Sequence, residues 1–423
     1  MSGPVSNNVF RSSGVVASAA GGLSWQDVVT ASTVTVSAGN GYLIDTTSNT
    51  CTITLPSSAE AGDQIIFVDY ARTWETNKII IDSNGLNYQG DPDTYTVEYD
   101  TDGQTVSIVY SDATVGWIPE SDVDVTDAPV APPTQKALFG YGYNGSVVSM
   151  TNLVNSSGVV ATDTTGVGTA RQLLAAAGYG NDKAIFGYGW TGSYISLTNL
   201  VSNSGVVASD TTGVGTARST LAAAGYGVDK AIFGYGKTGS DLSLTNLVSN
   251  SGVVASDTTG VGTARRDLAA TGYGTDKAIF GYGYIPGTTF VSMTNLVTNV
   301  GVVGTDVTGV GTARYSPAAA RYGSTGQALF GYGEPGAFTS ITNLVSNVGV
   351  VASDTSGVGT AREKLGAAAY GGDKALFGYG SNGPSAGLSM TNLVNSSGVV
   401  ATDTTGVGTT RMALKAAGYS TSA

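Results

Sequence analysis

Apolar and polar residues alternate along this chain in short runs, and from residue 136 onward the runs repeat. One unit, read from Leu221, gives LAAAGYG, the turn VD, KAIFGYG, the loop KTGSD, LSLTNLV, the turn SNSG, VVASD and a Gly-rich TTGVGTAR. Each apolar run is short and bounded by Gly, Asn, Asp or Ser, the pattern of strands joined by tight turns. No stretch carries the 3.6-residue period and caps of a helix. The pattern predicts four antiparallel strands per unit.

Two markers set the period. The Phe of FGYG stands at Phe139, Phe186, Phe233, Phe280, Phe330 and Phe377, and the Arg closing GTAR or GTTR at Arg171, Arg218, Arg265, Arg314, Arg362 and Arg411. They keep step through six units of about 47 residues, a period typical of solenoids, propellers and arrays. Four-stranded units of this size are the blades of a β-propeller. The array opens on a second strand, KALFGYG, and closes on a first strand, MALKAAGYS. Pairing of those two ends would close the ring and remove its exposed edges. The expectation is an all-β chain with a six-bladed β-propeller over 136–423.

The order Arg, Ala-rich strand, short turn and aliphatic–aromatic strand, here RSTLAAAGYGVDKAIFGYG, resembles a kelch-type blade in all six units. The usual Gly-Gly pair is GYG here, and the later Trp is missing. The likeness implies a fold and leaves the function open.

The first 118 residues read differently. Runs STVTVSA, TCTITLP, DQIIFVDY, NKIIIDS, YTVEYD and TVSIVYSD are linked by polar turns. They predict a β-sandwich or jelly-roll-like domain over 32–118, after an N-terminal docking segment, 1–31. The Pro- and acid-rich stretch 119–135 reads as an extended linker. TCTITLPSSAEAGDQIIFVDY, a second strand after Asn77 and the closing Gly116-Trp117 resemble a module of bacteriophage tail fibres and other virion appendages. That resemblance implies docking to other virion proteins through the N-terminal region, and assembly in a host cytoplasm. Such fibres are often homotrimers, although no coiled-coil heptads appear here.

Composition narrows the chemistry. Charged residues are 12%, and the net charge of −12 argues against nucleic-acid or anionic-membrane partners. No apolar run approaches a membrane span. The opening residues lack the basic and apolar regions of a secretion signal. Cys51 is the single cysteine, so no internal disulfide forms. The chain has no His, which removes Ser-His-Asp and Cys-His catalysis and the usual zinc ligand sets. GVGTAR is no P-loop, because no Gly-Lys-Ser/Thr follows. No cofactor or metal is expected, and the chain is not read as an enzyme.

Two recurring polar residues are read as structural. The Asp of DTTG (Asp163, Asp210, Asp257, Asp403, with Asp306 and Asp354 in variants) is expected to cap its own strand through an Asx- or ST-turn. The repeated Arg is expected to pair with such an Asp or with backbone carbonyls between blades. Asp241, Asp267, Glu334 and Glu363 are the acids that could meet across the mouth of the axis. Solvated surface is the reading given to them.

The six copies also show where they disagree. The loop after FGYG and the two residues after the Arg vary, whereas the other turns barely change. In an antiparallel blade both variable places emerge on one face, and variable loops on a fixed scaffold are how recognition surfaces are built. The candidate ligand-binding residues are Tyr143, Trp190, Tyr194, Lys237, Asp241, Tyr284, Phe290, Tyr315, Glu334 and Phe338. Aromatic rings beside polar groups suit a host-surface glycan or protein. A capsid decoration or structural fibre protein without a receptor, and a cellular carbohydrate-binding propeller, are the alternatives.

Overall fold

The computed structural model describes residues 23–90, 97–120, 134–287, 290–383 and 387–422. Residues 1–22 of the expected docking segment and 121–133 of the expected linker lie outside them. Regular structure among the described residues is all β-strand, and the chain divides into two compact units, Met1–Ala131 and Pro132–Ala423.

The first unit has a five-stranded sheet in the order Ser24–Trp25, Asn40–Ile44, Gln64–Asp69, Thr105–Tyr110, Trp117–Pro119. A four-stranded sheet follows the order Thr33–Thr35, Cys51–Thr54, Ile79–Asp82, Val97–Tyr99. One core is shared between them, with Ile44, Phe67, Ile108 and Trp117 from the first and Ile53, Ile81 and Tyr99 from the second. The expected jelly-roll order is not what forms. The chain crosses from one sheet to the other with nearly every strand, so the first three strands of each sheet run parallel. Only the last pairings are antiparallel. Burial alternates along Cys51–Thr54 and Gln64–Asp69, and alternation fixes which face is inside but not strand direction.

In the second unit the described residues form six three-stranded antiparallel sheets. A representative one joins Ala175–Tyr179, Lys183–Trp190 and Tyr194–Val201, here termed first, second and third strands. The fourth strand expected from VVASD is reduced to two isolated bridges, Val201 to Val207 and Thr198 to Thr211. Between them the Asn199 side-chain amide donates to the Ala208 carbonyl at 3.0 Å and interrupts a backbone ladder.

The two ends of this unit meet in one sheet, where Lys415–Tyr419 pairs with Lys136–Tyr143, Lys136 opposite Tyr419. The first strands contact one another in order, and Lys415–Tyr419 touches both Gly366–Tyr370 and Ala175–Tyr179. A cycle of backbone hydrogen bonds runs around their starts. Thr220 N donates to Leu173 O, Asp267 N to Thr220 O, Ser316 N to Asp267 O, Lys364 N to Ser316 O, Ala413 N to Lys364 O and Leu173 N to Ala413 O, at 2.7–3.3 Å. All six residues have φ between 52° and 56°, a left-handed backbone rare outside Gly and Asn. The closed ring of donors and acceptors offsets that strain.

The GYG motif has a packing reason. A Cβ on Gly187 would lie 2.7 Å from the ring tip of Phe233 in the next sheet, and each such Gly is covered by the following Phe, ending with Gly378 under Phe139. Tyr188 takes φ 62° in a bulge between Gly187 and Gly189. Its ring then lies 5.1 Å from Phe233, which joins adjacent sheets through aromatic contact.

Candidate functional site

The junctions between sheets hold most of the repeated polar residues. Arg218 is fully buried, with its guanidinium 4.4 Å above the Tyr188 ring. It donates to Asn246 Oδ1 at 2.7 Å, Tyr235 O at 2.9 Å and Thr216 O at 3.1 Å. Asn246 in turn donates to Asp257 Oδ1 at 2.9 Å, and Asp257 Oδ2 accepts from Thr216 Oγ1 at 2.6 Å. The expected local Asx-turn is therefore corrected. The Asp clasps a Thr of the preceding repeat, because the chain leaves TTGVGTAR directly over the next sheet. Asp257 lies 3.9 Å from the Arg218 nitrogen, so the Arg is held chiefly by carbonyls and by Asn. That Asn was missed as a partner, although TNLV recurs unchanged in every copy. Burial raises the Asp257 carboxyl, but hydrogen bonds from Thr216 and Asn246 outweigh it and hold it below its usual value.

The two variable positions of each sheet are partners. The residue after GYG bridges the residue after the Arg: Tyr143 with Met412, Gln172 with Trp190, Ser219 with Lys237, Arg266 with Tyr284, Tyr315 with Glu334 and Glu363 with Ser381. The Trp190 pair exchanges both backbone hydrogen bonds, at 2.8 and 3.1 Å. Variation is thus concentrated along one rim, immediately outside the ring of left-handed residues.

Five of the ten candidate residues join one continuous run across three sheets. Asp241 Oδ1 accepts from Arg266 Nη1 at 2.9 Å, and that guanidinium lies 4.7 Å over the Tyr284 ring. Tyr284 is 6.1 Å from Phe290, and Phe290 stacks on Tyr315 at 5.0 Å with 27° between planes. The Tyr315 hydroxyl donates to Glu334 Oε2 at 2.6 Å. Arg266, which links the acid to the rings, is absent from the candidate set, yet it sits at a variable position. Trp190 and Tyr194 form a separate pair, edge to face at 4.7 Å. Tyr143 and Lys237 are placed on the rim by their backbone bridges alone, and Phe338 makes no ring contact among the described residues.

The acids near the axis are not solvated as expected. The side chains of Asp241, Glu363 and Asp267 are only 5%, 7% and 18% exposed. Glu363 is held by its bridge to Ser381, Asp241 by its bridge to Lys237 and its ion pair with Arg266, and Asp267 by its place in the hydrogen-bonded ring. Burial pushes the Asp267 carboxyl up to about 6, a rise that Arg266, Lys364 and Lys415 partly offset. Burial lowers Lys415, which stands where the other first strands have Ala or Gly. Burial, the Glu334 hydrogen bond and the carboxylates of Glu363 and Asp267 raise the Tyr315 hydroxyl. Beneath the ring, a cavity of about 30 Å³ bordered by Asp267, Lys364 and Lys415 holds one water-sized group and no sugar. Beside Phe290 a much larger open cleft of about 450 Å³ is lined by Val291, Met293, Asp306, Val307 and Ala313, among others.

Among the described residues no group of three or more Cys, Asp or Glu side chains is arranged to hold a metal ion. No protein-family model matches the sequence, and no curated protein is similar to it.

Proposed function

We propose that the six sheets are the blades of a six-bladed β-propeller, and that the chain is a virion structural protein of the tail-fibre or appendage kind. Its N-terminal region docks to other virion proteins. Its rim of paired variable positions meets a host-surface receptor, and the half-buried aromatic rings there favour a glycan. The closed cycle of hydrogen bonds from Leu173 to Ala413 supports the propeller. The observation that carries the receptor reading is the pairing of the two variable positions in every sheet. A scaffold under no demand to recognise anything has no reason to gather its variation on one rim while its junctions repeat Arg, Asn, Asp and Thr unchanged. The role is one of binding, without catalysis or cofactor.

Fluorescently labelled full-length protein, incubated with host cells and with their purified surface polysaccharides, tests this reading. Saturable binding that Trp190→Ala or Tyr284→Ala reduces at least tenfold, with an unchanged circular dichroism spectrum, supports it. A folded protein that binds no host leaves the capsid-decoration or structural-fibre reading in its place.

A further inference from the structure

Two features of the fourth sheet of the repeat array converge on one place. Its loop, YIPGTTFV, is as long as SNGPSAGL of the sixth copy and longer than YNGSVV or WTGSYI, and of these it alone supplies a Phe, Phe290. Its DVTG puts Val307 where the other copies have Thr, and Val307 is exposed. Phe290 and Val307 are both walls of the 450 Å³ cleft, which falls within the roughly 300–1,000 Å³ of small-ligand pockets. Phe290 also belongs to the stack with Tyr315, so the cleft and the ring series are continuous.

The polar groups along this line are mostly acceptors. Asp241 Oδ2 is buried and has no hydrogen-bond partner, although its side chain is nineteen-twentieths covered. A buried carboxylate oxygen without a donor keeps its charge unneutralised by hydrogen bonding, so its field acts on what lies against the neighbouring rings. Glu334 stands at the other end of the series, and Asp306 lines the cleft. The cation that joins the acid to the rings, Arg266, is already held between Asp241 at 2.9 Å and Asp267 at 3.6 Å, and Lys237 stands beside the series, bridged to Asp241 through its backbone. The chain as a whole carries −12.

We propose that the Tyr284–Phe290–Tyr315 series and the cleft beside Phe290 form one elongated glycan site that accepts neutral or amino-bearing sugars and rejects acidic ones. This rests on the receptor reading above and names its ligand class. The apolar walls Val291, Met293, Val307 and Ala313 suit the C–H face of a pyranose, with Phe290 as its platform. Half-buried Glu334 accepts hydrogen bonds from hydroxyls or ammonium groups at the sugar's edge, while Asp241 and Asp306, held in their own contacts, add negative charge. The same negative field disfavours uronic and sialic acids.

The test is a glycan array of neutral, amino-bearing and acidic oligosaccharides, probed with the labelled full-length protein. Phe290→Ala, Val307→Thr and the double variant Asp241→Asn/Glu334→Gln are run beside it, with folding checked by circular dichroism. The expected result is binding to non-acidic oligosaccharides at least tenfold tighter than to acidic ones. Phe290→Ala should lose that binding, and the near-isosteric double variant should narrow the discrimination. Preference for acidic sugars, no binding to the array, or binding indifferent to Phe290→Ala and Val307→Thr overturns the site. Host-cell binding that survives Phe290→Ala but is lost in Trp190→Ala would overturn it while leaving the receptor reading intact.

Discussion

Asp163 accepts three hydrogen bonds from Thr409, at 3.2 and 3.0 Å from its backbone N and 2.6 Å from its hydroxyl, although the two are 246 residues apart. The other five copies of this clasp join consecutive repeats, 41 to 43 residues apart. One local geometry therefore does two jobs: it fastens neighbours, and once it fastens the last repeat to the first.

Replacing the closing acid, Asp163→Ala, should cost about 1–3 kcal/mol, as for a hydrogen-bonded carboxylate whose donors are left unpaired. Asp257→Ala breaks the same contacts at an internal junction and should cost about as much. Urea denaturation followed by tryptophan fluorescence measures both. An Asp163→Ala protein as stable as the parent would mean that the terminal junction contributes nothing.

The buried Arg is the most demanding group at each junction. Asn246→Ala removes the acceptor of Arg218 Nη2 at 2.7 Å and should destabilise by roughly 3 kcal/mol, because it leaves a buried charge short of a partner. Arg218→Lys should fare little better, since an ammonium cannot reproduce the fork that reaches Asn246, Tyr235 and Thr216 together. Thermal melts of the two variants check the ranking.

Gly187→Ala should cost about 1–3 kcal/mol, because the added methyl meets the Phe233 ring at 2.7 Å. Phe233→Leu in the same chain should return part of that loss. If the pair is no better than the sum of its members in a double-mutant cycle, the contact is not what fixes the glycine.

Two sets of carboxyls give opposite pH trends. The clasping acids, such as Asp163 and Asp257, titrate below their unfolded value, so their stabilisation is present above the ordinary carboxylate range and is lost as pH falls through and below it. Asp267 is the reverse: its folded value, about 6, exceeds its unfolded one, 3.8. It holds its proton more tightly in the fold, so stability falls as pH rises from about 4 to about 6, by at most about 3 kcal/mol. Asp267→Asn should flatten that upper limb and leave the acid limb unchanged. Melting temperatures at intervals from pH 3 to 8 measure both limbs.

Much of the repeat architecture is legible in the sequence because each strand announces itself through its own residues. KAIFGYG and LSLTNLV carry their turns with them, and the Phe and Arg markers count the units. What is not legible depends on neighbours that lie far away in sequence. Asp210 looks like a local turn-former beside Thr211 and Thr212, yet it bonds Thr169 in the preceding repeat. The fourth strand of each unit has strand-like residues, but Asn199 opens its ladder with a side-chain amide. In the first unit, the alternation of Cys51–Thr54 gives burial correctly and is silent on its parallel pairing with Ile79–Asp82. At the rim, variability identifies Tyr284, Phe290 and Tyr315, but not that Arg266 would cover one ring or that burial would enclose Asp241 and Glu363.

The most direct measurement is hydrogen–deuterium exchange of the full-length protein with and without host-surface polysaccharide. The two faces of the repeat array carry different turns, so peptides separate them cleanly. Recognition through the variable rim predicts slowed exchange around Trp190–Tyr194 and in the short stretches at Tyr284, Phe290, Tyr315 and Glu334, with no change at the turns that carry Val206, Val253, Val300 and Val399. Protection confined to those valine turns, or none at a concentration where the polysaccharide is bound, would contradict it.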